Sequence, residues 1–190
     1  YHLACDARNA DAVARLRSRK QREAKPFAVM VCNLASARVL AQVDALEAEL
    51  LTSKERPIVV LHALAGNGIA TCVSQELTTL GLMLPYTPIH WLLCHAAARE
   101  PDGIAWLDQP QDLALVMTSA NPHGEPLVHT DADARERLAG IADLIVDHDR
   151  PILVRCDDSV MRVVDGAPAF IRRARGFVPE PIDLGSDGPS

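Results

Sequence analysis

The stretch "LVMTSANPHGEP" (Leu115–Pro126) joins an apolar run to small polar side chains and then to proline and glycine. The apolar part predicts a buried strand that ends near Thr118, Ser119 and Asn121. Open α/β sheets bind ligands at the carboxyl ends of their strands, and short hydroxyl and amide groups can hold phosphate or ribose close to the backbone. An ordinary turn, in which Ser119 and Asn121 satisfy their own backbone, is the alternative reading.

Short apolar runs and helical repeats alternate on both sides of this stretch. The patterns predict strands over 27–32, 57–61 and 113–118, and loops over 62–86 with an interrupted strand around 80–84. They also predict helices over 9–19, 36–40, 44–51, 87–98 and 131–138. "ADLIVDHD" (142–149) is expected to run into a further strand, and the next segment alternates and turns at Asp165-Gly166 like a hairpin. This order predicts an α/β domain with a mixed sheet and flanking helices.

The composition bounds the class of protein. The chain has 190 residues, of which 48% are hydrophobic and 23% charged, as in an ordinary globular domain. No apolar run approaches the roughly 18 residues of a membrane span, and no signal peptide is visible, so we expect a cytoplasmic protein. The five cysteines form no CxxC pair, and the histidines form no HExxH motif, so we expect reduced thiols and no zinc.

The charges are unevenly distributed. A net charge of -6 argues against binding to extended nucleic acid. Lys20, Arg22 and Lys25 nevertheless precede the strand at 27–32, where they could neutralise a triphosphate and stabilise phosphoryl or nucleotidyl transfer. A solvated helix end is the alternative.

Two further segments carry charges that could serve a site. In "RCDDSVMR" (155–162), Asp157 and Asp158 could bind Mg²⁺, which prefers oxygen ligands, or could form salt bridges at the start of a strand. In "FIRRARG" (170–176), one of three arginines could face a phosphate, and the spacing does not choose among them.

Five segments in this order, "RKQREAKPFAVM", "MLPYTPIHWLL", "LVMTSANPHGEP", "IADLIVDHDRPILVRCDDSVMR" and "FIRRARGFVP", together resemble the YrdC-like domain of the HypF carbamoyltransferases. The resemblance covers Tyr1–Pro181 and leaves 182–190 as a tail or linker. It implies a YrdC-like fold with a twisted mixed sheet and a basic concave nucleotide-binding face. It also implies that the chain is a fragment lacking the strand and glycine-rich turn that should precede Tyr1.

The resemblance also assigns site residues. Thr118, Ser119 and Asn121 would lie at nucleotide phosphates or ribose. Lys20 and Arg22 would be the catalytic cations that hold phosphate oxygens, with Lys25 nearby. The less certain matches, to later family positions, are Ser159 and Arg173.

The reaction implied by the resemblance joins carbamate, released from carbamoyl phosphate, to the AMP part of ATP with Mg²⁺ and loss of pyrophosphate. Other domains would then carbamoylate HypE in [NiFe]-hydrogenase maturation. Two alternatives stay open: a threonylcarbamoyl-adenylate synthase for tRNA modification, and a non-catalytic module that binds nucleotide or double-stranded RNA. The "CDDSV" and "RRARG" segments favour the HypF branch.

Overall fold

The computed structural model describes residues 1–22 and 24–182. Its helices are α1 (Ala10–Arg19), α2 (Leu34–Leu40), α3 (Ala45–Thr52), α4 (Thr71–Ser74), α5 (Pro88–Ala97) and α6 (Asp131–Arg137). Its strands are β1 (His2–Asp6), β2 (Ala28–Val31), β3 (Ile58–His62), β4 (Thr79–Met83), β5 (Ala114–Ser119), β6 (Val160–Val164) and β7 (Ala167–Arg172). Within the described part of the chain, no helix has the length and apolar character needed to span a membrane. The predicted tail, apart from Ile182, lies outside the described residues.

The strands form one open sheet in the order β1-β5-β2-β4-β3-β6-β7. β2 pairs in parallel with β4, and β3 in parallel with β6, while the other neighbours are antiparallel. The mixed α/β sheet expected from the sequence is therefore confirmed. The order places β5, which ends in the "TSAN" segment, between β1 and β2.

Side chains of successive strand residues point to opposite faces of the sheet and build two cores. Val29, Val116 and Leu82 belong to the larger core, which also receives buried residues from α1, α2, α3, α4 and α6. Met30 and Met117 belong to a smaller core on the other face, together with Ile58 and Met83. The second face is therefore the less thickly covered one, and Tyr86 packs against it.

Several helix starts follow from local chemistry. The Asn9 side chain accepts a hydrogen bond from the backbone of Ala12 at the start of α1. Asp44 and Glu47 form a reciprocal capping box at the start of α3. Such side chains satisfy backbone donors that have no partner within the helix, which is why these boundaries are readable from the sequence.

The C-terminal hairpin is confirmed, with Asp165 and Gly166 both at positive φ in its turn. The strand expected near residues 142–149 is wrong, because this segment is irregular and leaves Leu144 and Val146 mostly exposed. This segment pairs with none of the seven strands of the described sheet. The sequence analysis also did not predict β1 or the four-residue α4.

Candidate functional site

A buried lysine lies under the carboxyl end of β5. Lys20 is the residue that ends α1, and only 5% of it is exposed. Its Nζ donates to the backbone oxygen of Ser119 and, at 2.9 Å each, to the backbone and side-chain oxygens of Asn121. The Ser119 hydroxyl also donates to the Asn121 side chain at 2.8 Å. The structure thus brings Lys20 together with the "TSAN" segment, about a hundred residues further along the chain.

Lys20 is surrounded by neutral oxygens. Among the described residues, no carboxylate lies within salt-bridge distance of Lys20 or of its neighbour Arg22. Burial and then the Arg22 charge lower the pKa of Lys20 to about 8, although Asp157 acts in the opposite direction. Burial likewise lowers the pKa of Arg22. This corner has an excess of positive charge, which an anionic ligand would neutralise.

The loop after α1 holds Arg22 beside β5. Arg22 donates from Nη1 to the Thr118 hydroxyl at 3.3 Å. Arg17 fixes the loop from behind by donating to the backbone oxygens of Arg22 at 2.7 Å and of Lys25 at 3.0 Å. Lys25 itself is exposed. Of the predicted cations, Lys20 and Arg22 therefore reach the strand end, and Arg17 supports the loop.

A cavity of about 1060 Å³ adjoins this corner. It is lined by β1, β5, the start of α5 and the irregular segment between α6 and β6. Ser119 and Asp157 belong to its wall, whereas Lys20 and Arg22 lie beyond it. The wall has mixed charge, with five arginines and six aspartates (Arg15, Arg19, Arg150, Arg155, Arg175; Asp131, Asp143, Asp147, Asp149, Asp157, Asp158). Positive charge without matching carboxylates is concentrated at the Lys20–Arg22 corner.

The two carboxylates proposed for Mg²⁺ have different surroundings. Asp157 is exposed, with Oδ1 3.3 Å from a guanidinium nitrogen of Arg172. Asp158 is enclosed by basic and phenolic groups that occupy both of its oxygens. In the described ranges, no group of three or more His, Cys, Asp and Glu side chains could hold a metal ion. Asp157 is the more open of the two carboxylates, and the Mg²⁺ site stays a prediction.

Ser159 and Arg173 occupy positions away from the cavity wall. The Ser159 hydroxyl is fully buried, accepts from the backbone nitrogen of Ala174 at 2.8 Å and donates to the backbone oxygen of Arg175 at 2.9 Å. Arg173 donates to the backbone oxygen of Glu180 at 2.6 Å. The arginine of "RRARG" that lines the cavity is Arg175. The structure thus assigns Ser159 a bracing contact between β6 and the segment after β7.

Sequence reasoning missed a cluster around Asp158. His2 Nε2 lies 2.9 Å from Asp158 Oδ2, while Arg175 Nε and the Tyr86 hydroxyl donate to Oδ1 at 2.9 and 3.3 Å. The Arg175 guanidinium stacks 3.6 Å from the Tyr86 ring centre, and His90 packs edge-on against that ring. No spacing along the chain joins these residues. The sequence offered only one hint of this cluster, namely polar side chains that lie next to predicted strands and had been given no role.

The pKa values of this cluster follow its contacts. Burial alone would raise the pKa of Asp158, but the hydrogen bond from His2 and the charge of Arg175 hold it well below its usual range. Burial lowers the pKa of His90 to about 4. Burial and Asp158 raise the pKa of Tyr86. At neutral pH the cluster therefore contains an ionised carboxylate beside a neutral imidazole and a neutral phenol.

Comparisons with known proteins agree with this fold. The family model Sua5_yciO_yrdC, described as telomere recombination, matches residues 1–174. Carbamoyltransferase HypF2 from Cupriavidus necator is 60% identical over 195 residues, an alignment that covers 100% of this chain and 24% of that protein. This chain therefore spans about a quarter of the length of that relative.

Solved structures show the same arrangement. A full-length HypF in a phosphate- and nucleotide-bound form has a TM-score of 0.84 and 41% identity, covering 95% of this chain and 22% of that one. A P. abyssi Sua5 complexed with L-threonine has a TM-score of 0.71 at 21% identity, covering 92% of this chain and 47% of that one, which supports the fold alone. The chain belongs to the Sua5/YciO/YrdC family, and over its whole length it is similar to part of the HypF carbamoyltransferases.

Proposed function

We propose that this chain is the adenylate-forming domain of a HypF-type carbamoyltransferase. It would bind ATP with Mg²⁺ at the corner formed by Lys20, Arg22 and residues 118–121, and would join carbamate to AMP with release of pyrophosphate. A larger protein would supply carbamate from carbamoyl phosphate and pass the carbamoyl group to HypE. The similarity to proteins named carbamoyltransferase HypF supports this role, as does a nucleotide-bound form of one of them.

The observation that carries the proposal is the buried ammonium of Lys20 with only neutral oxygens around it. Burying a cation without a counter-ion is unfavourable, and in this chain the lowered pKa of Lys20 expresses that cost. A phosphate group placed at the corner would supply the missing negative charge. Arg22 and Thr118 would meet the same group from the β5 side.

The proposed step needs no nucleophile from the protein. A carbamate oxygen attacks the α-phosphorus, a new P–O bond forms, and the bond to the bridging oxygen of the β-phosphate breaks. Pyrophosphate leaves with the electron pair, and carbamate is already an anion, so no proton has to move. Catalysis can then come from positioning and from cations that stabilise charge on the phosphoryl oxygens. Lys20 and Arg22 would supply these cations, and Mg²⁺ would neutralise the departing pyrophosphate.

The test is exchange of labelled pyrophosphate into ATP with Mg²⁺, with freshly dissolved ammonium carbamate compared with threonine plus bicarbonate. We expect exchange that depends on carbamate and falls about a hundredfold in Lys20→Met, the loss typical of removing a group that stabilises transition-state charge. Lys54→Met is the matched control, because the Lys54 side chain is 84% exposed.

Each outcome separates one hypothesis from another. Exchange that depends on threonine would move the chain to threonylcarbamoyl-adenylate synthesis. ATP binding without exchange under any condition would refute adenylate formation by this chain. Equal activity of Lys20→Met and the wild-type chain would remove the buried lysine from the reaction.

A further inference from the structure

The Asp158 cluster lies on the cavity wall, and the nucleotide corner described above does not use it. His2, Tyr86, His90, Asp158 and Arg175 all line the cavity. Four of them are joined by the hydrogen bonds and the stacking contact around Asp158, and His90 packs against Tyr86. A network held this tightly keeps the orientation of each member fixed.

His2 is the member closest to the end of β5 along the sheet. In the antiparallel pairing of β1 with β5, His2 lies directly opposite Ser119. Residues in direct register have side chains on the same face, about 5 Å apart at Cβ. The side chains of His2 and Ser119 therefore leave the sheet on the same face, and both residues line the cavity. The backbone oxygen of Ser119 also accepts from the Lys20 ammonium.

The contacts of His2 determine which nitrogen can meet a ligand. The ionised Asp158 can only accept, so Nε2 carries the hydrogen in this contact. In the neutral imidazole, Nδ1 then keeps its lone pair as an acceptor. No hydrogen bond joins Nδ1 to another residue in the described ranges, 1–22 and 24–182. In its neutral form His2 thus offers one acceptor, Nδ1, from a ring that Asp158 holds in place, and its side chain remains 20% exposed.

Carbamate has two parts that need different partners. Its carboxylate and the phosphates of ATP suit cations, whereas its amino group donates hydrogen bonds and needs an acceptor. Lys20, Arg22 and Arg175 are donors only. A polar site built to pair with a substrate N–H also rejects analogues that lack it, because the buried acceptor is then left without a partner.

We propose that His2 is a positioning and specificity-determining residue, whose Nδ1 accepts a hydrogen bond from the amino group of carbamate while Asp158 fixes the ring. This inference rests on the proposed function. It places the carbamate against β1 beside Ser119, with its carboxylate directed towards the α-phosphate at the Lys20 corner. The cluster around Asp158 then forms the part of the site that selects the acyl substrate.

The test compares His2→Leu with His2→Gln in the carbamate-dependent pyrophosphate exchange. Leucine fills the space without polar atoms, while glutamine can donate to Asp158 and still present an oxygen acceptor. We expect His2→Leu to raise the KM for carbamate about tenfold, as for loss of one hydrogen bond, with ATP affinity within about twofold of wild type. His2→Gln should recover most of that loss. His148→Leu is the control, because His148 is an exposed histidine elsewhere on the same wall.

A wild-type KM for carbamate in His2→Leu would overturn the inference. Equal losses in both variants, accompanied by loss of ATP affinity, would also overturn it, because they indicate a structural role. Exchange by the wild-type chain checks the proposed function separately. If that exchange is absent, a ¹⁵N NMR titration of the histidine rings with ammonium carbamate and a non-hydrolysable ATP analogue decides the matter: displacement of the His2 Nδ1 resonance supports the contact, and its absence at saturation refutes it.

Discussion

Raising the pH should weaken ATP binding as the Lys20 ammonium loses its proton. In the proposed site the protonated ammonium would hold phosphate, and burial together with Arg22 lowers the pKa of Lys20 to about 8. At about pH 7 nearly all of the free protein carries this proton, whereas at about pH 9.5 only about 3% does. If the bound complex keeps the proton, the apparent Kd for ATP rises about 30-fold between these two conditions, which is about 2 kcal/mol of binding free energy.

The lowered pKa of Lys20 affects folding stability in the opposite direction: rising pH weakens ATP binding but stabilises the folded chain. Between about pH 8 and about pH 10.4 the unfolded chain binds more protons at Lys20 than the folded chain does. The contribution of Lys20 to folding stability therefore increases as the pH rises through this window. Loss of ATP binding at high pH would therefore not result from unfolding at Lys20, since deprotonation of Lys20 favours the folded chain.

The assay is calorimetric titration of ATP with Mg²⁺ at several pH values, together with urea unfolding at each pH. Lys20→Met should bind ATP weakly at every pH and lose the step, while the surface variant Lys54→Met should retain it. A wild-type Kd that stays constant from about pH 7 to about pH 9.5 would refute the reasoning. So would a Lys20→Met variant that keeps the step.

Three further substitutions separate binding from stability. Asn121→Ala removes the amide oxygen that receives the buried lysine and should weaken ATP binding about tenfold, while His123→Ala, at an exposed position of the same loop, should not. Ser159→Ala should lower the free energy of urea unfolding by about 1–3 kcal/mol with no change in the Kd for ATP, because its hydroxyl bonds only to backbone groups. Gly176→Ala should lower the free energy of unfolding by about 2–3 kcal/mol in the same assay, because φ is +88° and the new Cβ would lie 2.7 Å from Cβ of Glu55. Gly103 is the matched control: its φ is +69° but the space around it is open, so Gly103→Ala should cost about 1 kcal/mol.

Specific results would contradict these expectations. An unchanged Kd in Asn121→Ala would remove that amide from the nucleotide site. Weakened ATP binding in a well-folded Ser159→Ala variant would show that the Ser159 hydroxyl contributes to ATP binding. Equal unfolding free energies for the two glycine variants would show that the close contact at Gly176 relaxes without cost.

Features that depend on neighbours in the chain could be read from the sequence. The start of α1 follows from the Asn9 side chain, which reaches a backbone donor three residues away. The hairpin turn follows from Asp165-Gly166, since glycine adopts positive φ readily and aspartate tolerates it. The apolar runs of β2, β3 and β5 were predicted because both faces of these strands are covered, which makes the run continuous. The family resemblance added the grouping of Lys20 and Arg22 with residues 118–121.

Features that depend on distant partners could not be read in this way. "ADLIVDHD" has the composition of a strand, yet it pairs with no strand of the described sheet, and Leu144 and Val146 remain mostly exposed. β1 is a short edge strand whose five residues give little periodic signal, and only its pairing with β5 defines it. The choice of Arg175 over Arg173 for the cavity likewise follows from where the chain turns after β7.

The sequence by itself determined β2, β3 and β5, the starts of α1 and α3, the hairpin and the residue types of the Lys20–Arg22 corner, because these depend on contacts within a few residues or on recognisable motifs. The tertiary structure decided that Lys20 is buried among neutral oxygens, and that His2 and Asp158 meet although 156 positions separate them. The physical reason is the strand order: β1 pairs with β5 at one edge of the sheet, and β6 lies near the other. Only the folded chain brings Asp158, two residues before β6, across to the first strand, and no local pattern encodes that contact.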